Sequence, residues 1–115
     1  MSNETILAVI MAEKCQGILR GRASALVDPP ACLQPEHLTW MCAEIIRHAD
    51  DWPATRSHRW LGFVQAAMIA GGMLRYSEAK AMFDLAQGPE ATVDQDLLDH
   101  LDPSNSFRFE LGGQG

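Results

Sequence analysis

The sequence predicts an all-α fold, a compact bundle of four to five helices around a central apolar helix, followed by a short extended C-terminal arm. Three observations predict it. Apolar residues recur at three- and four-residue spacing along most of the chain, the period of a helix with one buried side. Proline and glycine clusters at Asp28-Pro29-Pro30, Trp52-Pro53 and Gly71-Gly72 cut these stretches into separate elements. The chain has 115 residues, of which 47% are hydrophobic, enough for one modest core and one domain. The expected division is a helical domain over 1–103 and an arm over 104–115.

The first helix is expected from residue 4 to about 26. Leu7, Ile10, Met11, Ile18 and Ala25 fall on one side, and Glu13, Gln16, Arg20 and Ser24 on the other. Ser2 or Asn3 suits its N-cap. Gly17 and Gly21, costly inside a helix, mark either a close approach of another backbone or a kink and early end. A second helix opens at Pro35 with Glu36 in its first turn and runs to about residue 49. Its buried stripe is Leu38, Met41, Cys42, Ile45, Ile46 and Ala49.

The third helix starts near Pro53 and stops at Gly71-Gly72. Trp60, Val64, Ala67 and Gly71 form one face, and Gly62, Ala66 and Ile69 the opposite one. A helix apolar on both sides belongs inside a protein, so this one is expected at the centre. Ser77 is the expected N-cap of a fourth helix that ends at Gly88, with Ala79, Met82, Phe83 and Ala86 facing inward. Residues 92–101 suit a short fifth helix. Residues 106–111 alternate apolar and polar, the pattern of a strand or extended arm.

The charge balance, nine basic against fifteen acidic residues and a net of −6, argues against a nucleic-acid partner and against anionic membranes. No apolar run approaches the roughly 18 residues of a membrane span, and the first residues lack a signal peptide's basic flank. A cytoplasmic protein is the expectation. Cys15, Cys32 and Cys42 have no Cys-x-x-Cys spacing and are expected to be reduced, partly buried small hydrophobes.

Candidate chemistry is sparse. His37, Met41, Glu44 and His48 share a flank of the second helix. However, His37 and His48 are more than about 10 Å apart at about 1.5 Å of rise per residue, and a third metal ligand would have to come from His58, Asp50 or Asp51. No metal site is assigned on that basis, and no cofactor is expected. No phosphate-binding glycine loop follows the pattern needed, and Asp94, Asp96, Asp99 and Asp102 lack the glycine turn and closing glutamate of a calcium loop. No catalytic residues are assigned.

Trp40 carries more information. It lies beside Glu44 and Arg47 on the polar side of its helix, either covered by the first helix or exposed as a partner anchor. Trp52 is expected to staple the turn to the helix it precedes. Arg56 and Arg59, one turn apart, pair with Glu44, Asp50 or Asp51, or contact an anion or acidic partner. The expected partner-binding residues are Trp40, Glu44, Arg47, Arg56 and Arg59. The expected ligand contacts, if a small anionic metabolite or nucleotide is bound instead, are Arg56, Arg59 and Trp60, with Trp52 as a possible aromatic wall.

The run His37-Leu38-Thr39-Trp40-Met41, then Trp52-Pro53, then His58-Arg59-Trp60-Leu61-Gly62-Phe63-Val64-Gln65, resembles a group of small proteins of unknown function common in tailed phages and prophages of Gram-negative bacteria. They carry a helix opening with His-Leu-x-Trp-Met and a central Arg-Trp-Leu-Gly-Phe-x-Gln-Gly helix. The likeness covers about 50 residues, from Pro35 to about Leu85. Ala66 stands where the group has Gly, and Arg56-Ser57 where a Lys is often seen. The resemblance implies a phage setting and no particular chemistry. The function expected from these readings is non-enzymatic: a phage-type accessory factor, often a homodimer, that binds a host or phage protein and occludes it. A ligand-sequestering helical module is the alternative, and a small hydrolase the last.

Overall fold

The computed structural model describes residues 2–87, which form four helices: α1 (Asn3–Gly21), α2 (Pro35–Arg47), α3 (Ala54–Ala70) and α4 (Tyr76–Gln87), with one 3-10 turn at Ala31–Leu33 between α1 and α2. No strand occurs among the described residues. The all-α bundle is therefore as expected. The expected fifth helix over 92–101 and the arm over 104–115 lie outside the described residues.

The hub is α1, not α3. α1 packs against α2, α3 and α4, α2 and α3 pack on each other, and α4 rests chiefly on α1. The sequence of α1 explains this. Leu7, Met11 and Leu19 supply bulk, and Ala8, Ala12 and Cys15 are fully buried small residues that let neighbours come close on more than one side. Hydropathy spacing alone picks out Leu7 and Met11 and misses the small residues, whose side chains add little apolar area to the pattern.

α3 is one-sided. Ser57, Leu61, Val64, Gln65, Ala67 and Met68 are buried. Ala66 is exposed, Gly62 and Ile69 are half-buried, and Phe63 keeps 41% of its surface in water. Of the second apolar face read from Gly62, Ala66 and Ile69, Ile69 packs against the core from its edge, whereas Ala66 lies in water and Gly62 is half-exposed. Leaving such small side chains wet costs little, because each offers little apolar area.

The helix ends follow local chemistry. Ser2 caps α1: its Oγ accepts from the Thr5 N–H at 3.1 Å, and its hydroxyl donates to Thr5 Oγ1 at 3.0 Å. α1 stops at Gly21 rather than continuing to residue 26, and Arg22 turns extended. The chain then crosses the end of α3, where the Ala25 N–H donates to the Gly71 carbonyl at 2.8 Å. A Cβ on Gly71 would meet Ser24 Oγ at 2.6 Å, so this crossing requires glycine or a shift of Ser24. α2 begins at Pro35 as predicted and ends at Arg47, two residues early.

α3 ends in a Schellman turn. Gly72 takes a φ of +73°, the Met73 N–H donates to Met68 O, and the Gly72 N–H donates to Ile69 O. Buried Met73 and Met68 supply the accompanying apolar pair. α4 starts one residue before the expected cap, so Ser77 lies inside it. The capping contact comes from Glu78, whose Oε1 accepts from the Arg75 N–H at 2.8 Å, the reach-back half of a capping box.

Two long-range polar contacts lock the ends together. The His58 Nε2–H donates to the Glu4 carbonyl at 2.7 Å, joining α3 to the start of α1. Arg22 donates to the Met73 carbonyl at 2.8 Å and to both Glu78 oxygens at 2.9 and 3.1 Å, tying the end of α1 to the start of α4. These hydrogen bonds from Arg22, with that from the Arg75 backbone, hold the Glu78 carboxyl well below its ordinary 4.5, at about 2.

All three cysteines are free, with Cys15 and Cys42 buried and Cys32 exposed rather than partly buried. Burial pushes the Cys15 and Cys42 thiols up to about 12. Cys15 Sγ sits 3.9 Å from Met82 Sδ, a soft contact inside the core.

Two measurements check this packing. A thiol titration of the native protein should show Cys32 reacting fast, and Cys15 and Cys42 reacting only when guanidinium unfolds the chain; two fast thiols would place one of the buried pair at the surface. Because Glu78 is depressed from 4.5 to about 2, its contribution is full above about pH 4.5 and is lost as pH falls toward 2. Glu78→Gln should therefore lower the melting temperature at pH 7, and the gap from the parent should close by about pH 2; a constant gap would assign the effect to something other than this carboxylate.

Candidate functional site

The turn from α2 to α3 builds an aromatic ladder. The Trp52 N–H donates to the His48 carbonyl at 2.9 Å, which folds Trp52 back over the end of α2. Its indole stacks on the His48 ring at 4.8 Å with planes 1° apart. Trp52 meets Trp60 edge-on at 4.7 Å, Trp60 meets Trp40 at 5.8 Å, and Trp40 meets His37 at 5.4 Å. Five rings from two helices and their turn thus touch in sequence. The Arg56 guanidinium carbon lies 5.2 Å from the centre of the Trp52 ring, within cation–π range.

Trp40 is the exposed ring of the ladder. Trp52 and Trp60 are half-buried and pack against the core. Trp40 keeps 49% of its surface exposed. Of the two readings of Trp40, cover by α1 or exposure, the structure shows an indole leaning on Trp60 with its other side in water.

The charged groups beside the ladder divide into paired and unpaired. Glu44 accepts from Arg47 through both oxygens at 2.8 and 3.1 Å, and this pairing, aided by the charges of Arg47 and His48, holds the Glu44 carboxyl below its ordinary range. His48 Nε2 lies 3.4 Å from Glu44 and Nδ1 lies 3.1 Å from Asp51, so both ring nitrogens face carboxylates. Arg59 is exposed and has no polar partner among the described residues. The expected pairing of Arg56 and Arg59 with Glu44, Asp50 or Asp51 does not form there.

The structure thus brings Trp40 and Trp60 together, pairs Glu44 with Arg47, lays Arg56 on Trp52, and leaves Arg59 on the wet side of α3. Of the metal flank, His48 stays beside Glu44 and Asp51, whereas Met41 is buried, His37 lies tilted against Trp40 and His58 reaches Glu4 instead. No group of three His, Cys, Asp or Glu among the described residues stands close enough to hold a metal ion. No helix there is long and apolar enough to cross a membrane.

Sequence reasoning missed three features. His37, His48 and Trp52 belong to the ladder, and the run 48, 52, 56, 60 at four-residue spacing carried that signal across the turn. Phe63 is exposed, which hydropathy could not show. An open groove of about 580 Å³ lies between α1 and α4, floored by Gly17, Gly21, Ile18 and Met82. A Cβ on Gly17 or Gly21 would meet nothing within 4 Å, so these glycines face open space rather than an approaching backbone.

Comparison of the chain with known protein families, characterised proteins and solved structures gave no match.

The ladder assigns different roles to its members. Trp52→Ala removes the stacking partners of His48, Trp60 and Arg56 and should cost about 2 kcal/mol of stability, below the range for a fully buried aromatic. Trp40→Ala should cost less than about 1 kcal/mol, because half of that side chain is already wet. Urea denaturation measures both, and the reverse ranking would mean that the ladder's support runs through Trp40.

Proposed function

We propose that this protein is a non-enzymatic accessory factor of the phage type that docks on another protein through the face carrying Trp40, Trp60, Arg56 and Arg59 and occludes it. The observation that supports the reading is Trp40, a half-exposed indole held in place by a chain of rings beneath it. Tryptophan and arginine dominate binding hot spots, and a side chain fixed before docking loses less entropy on binding. Trp40 leans on Trp60 and His37, so its ring is already oriented. Glu44 and Arg47 lie beside it as a compensated rim pair, which adds register more than affinity. The phage setting rests on the His37–Met41 and Arg59–Gln65 resemblance, and a second copy of the chain is one candidate partner.

The sequestering alternative draws less support. The groove between α1 and α4 is lined by none of Arg56, Arg59, Trp52 or Trp60.

The test compares Trp40→Ala with the parent. Circular dichroism and melting should be nearly unchanged. Light scattering should report any self-association, and pull-down from a bacterial host with mass spectrometry any heterologous partner. Capture should weaken by about tenfold or more, the loss of a hot-spot residue. Equal capture by a folded Trp40→Ala protein would remove this face as the docking site.

A further inference from the structure

The docking face is locally cationic on a chain whose acidic excess lies mostly in residues 88–115. The chain carries a net charge of −6. Yet the outward stripe of α3 presents Arg56, Arg59 and Phe63 at three- and four-residue spacing, with Trp60 one turn from Arg56 and Trp40 resting against Trp60. Neither arginine meets a carboxylate among the described residues. The nearby carboxylates Glu44 and Asp51 are taken by Arg47 and His48, and Asp50 is the turn's remaining unpaired acid.

The placement of Arg56 opposes the helix that carries it. It is the third residue of α3, whose first turn contains no acidic residue and whose start has no side-chain cap. A cation at the positive end of the helix dipole is unfavourable for the helix, and its local compensation is the Trp52 ring rather than a carboxylate. Such a departure from local preference is the kind found where a residue serves a contact.

We infer that the partner presents an acidic amphipathic segment to this face, with carboxylates against Arg56 and Arg59 and a large apolar side chain against Trp40 and Phe63. The inference rests on the docking role proposed above and names the chemistry of what docks. Two physical reasons favour it. An acidic segment meets positive charge at Arg56 and Arg59 that no carboxylate among the described residues pairs, which steers its approach. The stripe also grades from cationic near the start of α3 to apolar at Phe63, so a segment with acids at one end and apolar groups at the other fits in one direction. A long nucleic acid also likes arginine and exposed rings, but Arg56 and Arg59 offer it few phosphate contacts on a chain of net charge −6.

The probe is a random glutamate–tyrosine copolymer, with polyglutamate and oligothymidylate beside it, measured by interferometry on the full chain. The copolymer should bind, weaken as salt is raised, and lose about tenfold or more with Arg59→Glu or Arg56→Glu. Arg59→Lys should retain part of the binding. Trp40→Ala should weaken the copolymer, and Lys80→Glu, an exposed change on α4, should not. No binding, binding indifferent to the arginine reversals, equal binding of polyglutamate, or tighter binding of oligothymidylate would each overturn the inference. Loss of protein capture with Trp40→Ala but not with the arginine reversals would keep the docking role and discard the acidic partner.

Discussion

The structure depends on the close packing of three helices around α1. A helix can serve as a hub only if neighbours approach on several sides, and bulky residues all round would hold them apart. Ala8, Ala12 and Cys15 supply the narrow places, and Leu7, Met11 and Leu19 supply the apolar area between them. The small buried residues have a second consequence. With so little volume at the axis, methionines fill the gaps: Met11, Met41, Met68, Met73 and Met82 all reach the core. Their flexible thioethers fit irregular space that branched side chains would leave empty.

That packing sets where chain direction must change, and polar contacts hold those places. Arg22 ties its own helix end to a segment remote in sequence, through the Met73 carbonyl after α3 and Glu78 in the first turn of α4. His58 does the same at the other end through Glu4. One hydroxyl is left out. Ser57 Oγ is fully buried without a hydrogen-bond partner among the described residues, a residual cost at the point where α3 meets the rest of the bundle.

Much of this was legible in the sequence, and the failures have physical causes. Pro35, Gly71-Gly72 and Ser2 announced their helix ends because each acts through its own backbone geometry or a contact a few residues away. The inward sides of α2 and α4 were legible because Leu38, Ile45, Met82 and Phe83 are large and well spaced. The central role of α1 was not, since alanine and cysteine barely register in a hydropathy pattern. The over-reading of α3 has the mirror cause: Gly62 and Ala66 are small enough to belong on either side. In the site, the pairing of Glu44 with Arg47 follows from spacing alone, whereas the placing of Arg56 on Trp52 needed the turn's geometry. Contacts between Trp40 and Trp60 depend on how two helices pack, which no local signal encodes.

The ladder links stability to interaction. Its inner rings, Trp52 and Trp60, bury apolar area and brace the turn, so the core has its own reason to keep them. Its outer ring has no such reason: Trp40 leaves half its surface in water, and a smaller residue there would spare the exposed apolar area. Rigid support from below is what separates this tryptophan from a scattered surface hydrophobe. An indole braced by Trp60 and His37 samples few rotamers, so docking against it orders little that is not already ordered. The bundle therefore sets its aromatic packing beneath Trp40, the largest of the exposed apolar side chains among the described residues, which is the arrangement a rigid docking anchor requires.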